Sequence, residues 1–448
     1  MKRLAIASVI IGIVIGLWLL RPAALPAPDL PPAIPRLALP AALADAPAGS
    51  AVVMWVAEAK ARFEPCGCVA GMHGGLMRRA VLTGRLPAER VLSCELGGWI
   101  GGSRAYELLR SSFYLRGLAA AGVDAVALGA AEIAVGAERL APLLAEARRL
   151  ALPLLCANLD GAGCAPSVTV TVASRRLLVT AVAPPEAAGA GLTLRDPVEA
   201  VTVQATEAAR LGLELVVLAD LTPEACKALA RAVPQAALIV GGRSEHPSPE
   251  PVAIGAVRVL WAGNHGKVLG SWAWGETVAA FELLHDKLPE DPAQRSLLGS
   301  YQQALAGTDF TVGEDGGMSP LGQATLAGSA SCLACHANAA TVHNASRHHQ
   351  ALASLERKGY QHDPDCLRCH VTGLGEGGYR RGEQRFAEVS CESCHGPGSA
   401  HNAAAQAGHP ANAPMPQLSA ATCVGCHDAE NSPAFTYPEY WPRILHGR

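Results

Sequence analysis

The sequence has little net charge and few aromatic side chains. Its 448 residues carry a formal net charge of −3, and only 4% of them are Phe, Trp or Tyr. Because the charges nearly balance, nothing indicates a nucleic-acid partner. Half of the residues are nevertheless apolar, which favours folded cores over disorder. A chain of this length is expected to form two or three domains.

Cysteine and histidine are concentrated in the last quarter of the chain. Eight of the fourteen cysteines and eleven of the fifteen histidines follow residue 330. There the pattern Cys-x-x-Cys-His occurs four times, and this pattern attaches c-type haem and supplies its proximal histidine. Zinc knuckles are the alternative, but zinc does not require a histidine directly after every second cysteine. The predicted attachment residues are Cys332, Cys335, Cys366, Cys369, Cys391, Cys394, Cys423 and Cys426, and the predicted proximal ligands are His336, His370, His395 and His427.

The same region contains almost no methionine. Of the six methionines in the chain, only Met415 lies within residues 331–448, so histidine–methionine ligation can serve very few irons. Most sixth ligands must therefore be histidines, and bis-histidine ligation indicates low reduction potentials. The histidines outside the four motifs are His343, His348, His349, His362, His401, His409 and His446.

The N-terminus has the pattern of an export signal. Lys2 and Arg3 precede an uncharged apolar run over residues 4–20, which as a helix would measure about 26 Å and barely span a membrane. Residues 1–21 are therefore predicted to be an uncleaved inner-membrane anchor or, as the second choice, a cleaved signal peptide. Residues 22–49 are rich in Pro and Ala and are predicted to form an extended tether. Either alternative places the remainder in the periplasm or otherwise outside the cytoplasm, where haem c is attached.

Residues 50–285 alternate short apolar runs with amphipathic helical stretches. This alternation predicts a layered α/β domain. It is followed by residues 286–330, a helix and a Gly-rich linker, and by residues 331–448, which lack a strand pattern and are predicted to be helical or irregular around the haems. The predicted strands are 52–57, 91–96, 125–128, 152–157, 167–172, 177–182, 215–218, 236–240 and 257–261, and the predicted helices are 76–82, 105–121, 137–150, 197–211, 223–233 and 294–305.

Several glycine- and cysteine-bearing turns follow the predicted strands. They are Glu64-Pro65-Cys66-Gly67-Cys68, Gly74-Gly75-Leu76-Met77-Arg78-Arg79, Gly129-Ala130-Ala131-Glu132, Cys156-Ala157-Asn158-Leu159 and Gly241-Gly242-Arg243-Ser244-Glu245-His246. In this order the turns resemble the metal-binding loops of the periplasmic 5′-nucleotidase-like metallophosphoesterases. The resemblance covers about 200 residues and implies the layered α/β sandwich of that family.

Most metal ligands of that family are absent here. Its first loop carries Asp-x-His where this chain has Glu58-Ala59-Lys60, and its second ends in Gly-Asp where this chain has Gly97-Gly98. The remaining two loops retain only Glu132 and His246. Two isolated ligands do not make a dimetal site that activates water. We therefore expect a degenerate fold without phosphoesterase activity, serving as a docking or scaffold module.

Cysteines in the α/β region suggest another use for it. Cys66 and Cys68 are too close in sequence for an unstrained disulfide and could direct two thiolates at one metal, with Cys94 nearby at the end of the second strand. A soft-metal or redox site at these residues is one hypothesis; structural disulfides or buried free thiols are the other. Cys156 and Cys164 enclose a Gly-containing loop and predict a disulfide.

The sequence around the four haem motifs carries further signals. They are Ser346-Arg347-His348-His349-Gln350-Ala351, Asp363-Pro364-Asp365 before the second motif, Val389-Ser390 before the third with Gly396-Pro397-Gly398 and His401 after it, and Tyr440-Trp441 through Ile444-Leu445-His446-Gly447. With these features the region resembles the tetrahaem cytochromes c of the hydroxylamine-oxidation relay. The resemblance implies His348, His401 and His446 as distal ligands and one five-coordinate iron.

Other histidines could complete or surround the haem sites. His343 or His362 could provide the sixth ligand of the remaining iron. His349 and His409 are expected to contact haem propionates or to lie on the surface.

The preferred interpretation is an electron carrier with four covalent c-type haems. It exchanges electrons with a redox partner protein and is held at the membrane by its N-terminal segment. The alternative is a redox enzyme that acts on a small nitrogen or sulfur compound at an open haem iron, or that uses Cys66 and Cys68.

Overall fold

A computed structural model describes residues 38–65, 72–187, 189–263, 265–310, 325–416, 418–429 and 431–446. The predicted anchor or signal (residues 1–21) and the Cys66–Cys68 hypothesis lie outside these residues. Within the described ranges, no helix is both long and apolar enough to cross a membrane. The α/β region and the haem region belong to one compact unit, Pro35–Arg448.

Two six-stranded sheets form the centre of the α/β region. The first has the order β14-β13-β1-β2-β3-β4, with β1 to β4 parallel, β13 antiparallel to β1 and β14 antiparallel to β13. Its strands are β1 (Val52–Val56), β2 (Val91–Glu95), β3 (Ala125–Ala127), β4 (Leu154–Leu155), β13 (Val268–Ala273) and β14 (Ala280–Leu283).

The second sheet also has four parallel strands. Its order is β11-β12-β10-β9-β7-β6, with β12, β10, β9 and β7 parallel and an antiparallel strand at each edge. Its strands are β6 (Ser167–Val172), β7 (Arg175–Val182), β9 (Glu214–Ala219), β10 (Ala236–Gly241), β11 (Val252–Ile254) and β12 (Val257–Trp261). The remaining strands, β5 (Leu159–Asp160) and β8 (Thr193–Leu194), form a separate pair.

Alternating residues of each strand bury two different faces. Val53 and Trp55 of β1 point into the core between the two sheets, whereas Met54 of β1 points into the core beneath the first sheet. A third core lies on the outer face of the second sheet. The result is a four-layer sandwich with helices outside both sheets. These helices are Leu76–Thr83, Ala105–Ala120, Ala130–Ala134, Gly136–Arg149 and Pro292–Gly307 around the first sheet, and Pro197–Leu211 and Pro223–Ala232 on the second.

The predicted fold class is confirmed, with local differences. Each predicted strand and helix has a counterpart, but the predicted strand 152–157 shrinks to two residues, and five strands, β5, β8, β11, β13 and β14, were not predicted. Within the predicted tether, Ala41–Ala44 form a helical turn and Leu43 is buried in the core beneath the first sheet. The end of that segment therefore packs on the α/β region instead of extending away from it.

The described part of residues 325–446 is helical and irregular. A small core of Leu352, Leu355, Leu367, Tyr379 and Phe386 lies between its short helices. These helices are Ser329–Leu333, Ala337–Ala345, Ala351–Glu356, Pro364–His370, Cys391–His395, Ser399–Gln406, Ala420–Val424 and Tyr437–Tyr440.

Candidate haem-binding site

The second and third Cys-x-x-Cys-His motifs lie on short helices with defined starts. Asp363 caps the helix Pro364–His370 by accepting the backbone N–H of Asp365 at 3.0 Å. Ser390 caps the helix Cys391–His395 in the same way, with the Glu392 N–H at 3.2 Å. A helix places residues three and four apart on one face. Both cysteines and the histidine of each of these motifs therefore face the same side.

Three of the predicted proximal histidines face the three predicted distal histidines. The ring centres are 6.3 Å apart for His336 and His401 and 6.1 Å for His348 and His427. They are 6.0 Å apart for His395 and His446. Two imidazoles that bind opposite sides of one metal ion at about 2.0 Å have ring centres about 6.3 Å apart. The three separations therefore fit an iron between the rings of each pair.

Hydrogen bonds hold these imidazoles by the Nδ1 atom. Nδ1 of His401 lies 2.9 Å from the Ala413 carbonyl, and Nδ1 of His446 lies 2.8 Å from the Ile444 carbonyl. Nδ1 of the proximal His370 lies 2.8 Å from the carbonyl of Ala351. A metal-bound histidine commonly donates its second ring N–H to a carbonyl, which fixes the ring and its tautomer. This arrangement leaves Nε2 of His401 and of His446 for an iron.

Burial also favours the form of histidine that binds metal. Desolvation lowers the pKa of His348, His395 and His427, and neighbouring imidazoles lower the pKa of His348 and His395 further. Neutral imidazole is the ligating form. The Phe435 ring stacks on His427 with centroids 4.7 Å apart and excludes water from one of its faces.

Thiols of different motifs meet one another. The Cys332 thiol hydrogen-bonds that of Cys391, which lowers the pKa of Cys391 to about 6 and raises that of Cys332. In the same way Cys369 contacts Cys426 and lowers its pKa. Burial and then the nearby thiol of Cys423 in the fourth motif raise the pKa of Cys394 in the third motif. These contacts connect the motifs in the spatial order first, third, fourth, second.

The other histidines have different surroundings. Nε2 of His343 lies 2.9 Å from the Val389 carbonyl, so this nitrogen is already engaged. Burial and then the charge of Arg381 lower the pKa of His362. His349 does lie at the surface, with 45% of its side chain exposed, and its Nδ1 is 2.5 Å from a carboxylate oxygen of Glu388.

The α/β region contacts the helix Pro364–His370, which carries the second haem motif. The Arg110 guanidinium and, at 2.8 Å, the Tyr106 hydroxyl donate to the carboxylate of Asp365, which immediately precedes Cys366. Arg110 lowers the pKa of Asp365 despite its burial. The Tyr360 hydroxyl donates to Glu64 on the same side. Sequence analysis missed these contacts, because nothing in the local pattern pairs residues that are so far apart.

A further contact joins the two regions at the end of a helix. Arg381 donates to the carbonyls of Leu305, Ala306 and Thr308 at 2.9, 2.7 and 2.6 Å. These carbonyls lie at or just beyond the C-terminus of the helix Pro292–Gly307, where the backbone lacks helical partners and favours a cation.

The loops that would hold metal in a phosphoesterase meet at one edge of the sandwich. Glu132 is fully buried and accepts the N–H groups of Gly98, Ile100 and Gly129 at 3.0, 2.8 and 2.8 Å. Asp220, which sequence analysis did not identify, is 4% exposed and accepts the Ala130 N–H at 2.7 Å. Both carboxyl groups therefore bind backbone amides of the loops.

The structure bears on two expectations about cysteine. Cys94 is a free thiol fully buried in the core between the sheets, where desolvation strongly raises its pKa, as the second hypothesis predicts for this residue. Cys156 and Cys164 are free thiols. The Cys156 thiol lies 3.3 Å from the Asn158 side-chain oxygen and that of Cys164 lies 3.6 Å from the Cys156 carbonyl. The predicted disulfide is therefore wrong for this structure.

Fold and site together define a c-type haem-binding region joined to a metallophosphoesterase-like sandwich. Residues 331–396 match the family described as "Cytochrome c554 and c-prime". The chain is 34% identical over 100 residues to cytochrome c-554 of Nitrosomonas europaea. The match covers 18% of this chain and 43% of that protein, so the chain spans less than half of the relative.

Solved structures match the α/β part. A 5′-nucleotidase precursor from Thermus thermophilus is 23% identical with a TM-score of 0.50, over 58% of this chain and 59% of that one. The sulfate thiohydrolase SoxB from Thermus thermophilus is 17% identical with a TM-score of 0.50, over 61% and 63% of the two chains. At these identities the similarity shows the fold alone. The chain also spans less than two thirds of either protein.

Proposed function

We propose that residues 331–448 hold four c-type haems and that the protein is an electron carrier. The proposal rests on one observation. His348, His401 and His446 each face a proximal histidine, with ring centres 6.0–6.3 Å apart. When bound, the haem irons accept and release single electrons. The chain's own task is then to hold each iron and its neighbours in place.

The thiol contacts support an electron path rather than four isolated centres. Contacts between Cys332 and Cys391 and between Cys369 and Cys426 bring attachment points of different motifs together. A path through the motifs in the order first, third, fourth, second follows from these neighbours. Bis-histidine ligation with the nearly complete lack of methionine supports low reduction potentials.

We infer a scaffold role for the α/β region. Its hydrogen bonds to Asp365 and Tyr360 hold the segment that leads into the second motif. The amide-bound Glu132 and Asp220 give it a folded loop cluster in place of a two-metal site. We expect the purified protein to release no phosphate from nucleotide monophosphates, with or without added Mn²⁺.

Location and partner follow from the chemistry of attachment. Haem c is attached outside the cytoplasm, so we propose a periplasm-facing protein held at the inner membrane by residues 1–21. Its redox partners are proteins that give and accept single electrons at the haem region.

Electrochemistry of the intact holoprotein tests the carrier function. We expect reversible one-electron steps that total four electrons per chain and rapid reoxidation by a small one-electron acceptor. Catalytic current on adding nitrite or hydroxylamine would contradict the carrier and support the enzyme alternative. Fewer electrons per chain would contradict the four-haem proposal.

A further inference from the structure

Three side chains that are not among the proposed iron ligands lie close together in the haem region. One nitrogen each of His343 and His349 and one carboxylate oxygen of Glu388 all lie within 4.8 Å of one another. The imidazole rings of His343 and His349 meet edge to face with centres 5.5 Å apart. Ligand atoms around a tetrahedral zinc ion lie about 3.4 Å apart. Small side-chain movements would therefore allow all three residues to bind one ion.

The hydrogen bonds around the cluster leave ligand atoms available. Nδ1 of His343 is buried and has no hydrogen-bond partner among the described residues, while Nε2 of the same ring bonds the Val389 carbonyl. This is the pattern of a metal-bound imidazole, in which a carbonyl orients the ring through the nitrogen that does not bind metal. The second oxygen of Glu388 accepts the Ser329 hydroxyl at 2.7 Å. Glu388 is therefore oriented in the same way.

We propose that His343, His349 and Glu388 form a binding site for a divalent metal ion of the zinc class. Two imidazoles and one carboxylate suit Zn²⁺ and leave one coordination position for water. The exposed ring of His349 gives the ion a route of entry. On binding, the ion replaces the hydrogen bond between His349 and Glu388, and the shared proton leaves to solvent.

The position of the site suggests what the ion would do. His349 directly follows His348, the distal partner of His427, and Glu388 lies just before the third motif. The backbone N–H of Val389 already donates to the His348 carbonyl at 3.2 Å. A bound ion would therefore connect the segment that carries a distal ligand to the segment that carries Cys391. It would stabilise the haem region without changing any iron ligand.

Zinc binding by the complete holoprotein tests the proposal. The protein is treated with EDTA, titrated with ZnCl₂ in a calorimeter and assayed for zinc and iron by mass spectrometry. We expect one zinc per chain beyond the irons and a rise in melting temperature. His349→Ala and Glu388→Gln should each weaken binding by at least tenfold, whereas His409→Ala, at an exposed histidine outside the cluster, should bind as the wild type does.

Haem content per chain is measured for each variant, and only variants with the wild-type content are compared. If Glu388→Gln assembles poorly, His349→Ala still decides, because its ring is largely exposed. No zinc binding by the wild type would overturn the proposal and leave an ordinary hydrogen bond between His349 and Glu388. Equal binding by the wild type and His349→Ala, or loss with His409→Ala, would also overturn it. None of these outcomes bears on the electron-carrier function.

Discussion

His348 and His427 face each other with ring centres 6.1 Å apart, although His348 follows the first haem motif and His427 closes the fourth. His401 likewise follows the third motif but faces His336 of the first. The iron sites are thus assembled from distant parts of the chain. Folding of this region and haem attachment must therefore depend on each other.

Removal of a distal histidine should change one iron and leave the others intact. In His401→Ala, the iron beside His336 loses its sixth ligand, so one low-spin ferric signal should become high-spin and its reduction potential should rise. Electron paramagnetic resonance and a potentiometric titration measure both changes. His409→Ala is the matched control, because its exposed side chain faces no proximal histidine in the described structure. Unchanged low-spin signals in His401→Ala would contradict the pairing.

The contact between Arg110 and Asp365 should stabilise the holoprotein. Both side chains are largely buried, so Asp365→Asn should lower the free energy of unfolding by about 1–3 kcal/mol. Because Arg110 lowers the pKa of Asp365, this stabilisation is present above the ordinary Asp pKa and is lost as pH falls through the lowered value. Chemical denaturation at pH 7 and at pH 3 measures this. The free energies of unfolding of the wild type and Asp365→Asn should differ less at pH 3 than at pH 7.

A surface pair provides the control for Asp365. Arg149 lies on an exposed helix face beside Glu146, so Arg149→Ala should leave the free energy of unfolding nearly unchanged, because solvent screens the pair. Equal effects of the two substitutions would show that the contact between the regions adds no stability.

Glu132 should make stability depend on pH in the opposite direction. Desolvation raises its pKa to about 7, although three backbone N–H groups oppose the shift. A raised carboxyl pKa means that stability is fully present below the unfolded value and is lost as pH rises through about 7. The wild type should therefore lose up to about 3 kcal/mol between pH 5 and pH 8 relative to Glu132→Gln. Denaturation curves with the same pH dependence in both proteins would contradict this assignment.

Position 98 should not accommodate an aspartate, the residue that active phosphoesterases carry at this place in the loop. The φ of Gly98 is +81°, and a Cβ there would lie 3.0 Å from both Cα and Cγ of Glu58. Gly98→Asp should therefore destabilise the protein by about 1–3 kcal/mol. Gly299→Ala is the control, because Gly299 is helical with open space around it, and it should stabilise by about 0.5–1 kcal/mol. Thermal unfolding compares the two, and a stable Gly98→Asp variant would show that the loop can adapt.

Sequence patterns predicted the parallel strands of both sheets but missed most of the antiparallel ones. The parallel strands are continuous apolar runs because both of their faces are buried, and β9 and β10 were recognised for that reason. Gly270 and Ser271 interrupt the pattern of β13, and Gly270 is required there because a Cβ would lie 2.3 Å from the Trp55 ring. The short strand β11 forms because it pairs with β12. No local sequence pattern reveals this pairing.

The haem motifs were recognisable from spacing, but their spatial relations were not. Spacing identifies each proximal histidine, whereas the pairing of His446 with His395 depends on how the chain crosses itself. Glu388 and Asp220 are single acidic residues in unremarkable sequence. Their surroundings come entirely from distant segments, such as Ser329 and Ala130.

The mass of the intact exported protein tests the central claim most directly. Covalent attachment at all four Cys-x-x-Cys-His motifs predicts a single species that carries four haems and that retains them after denaturation. Proteolysis should then yield one haem-bearing peptide for each motif. A mature protein with fewer than four haems, or haem that is lost on denaturation, would contradict the account.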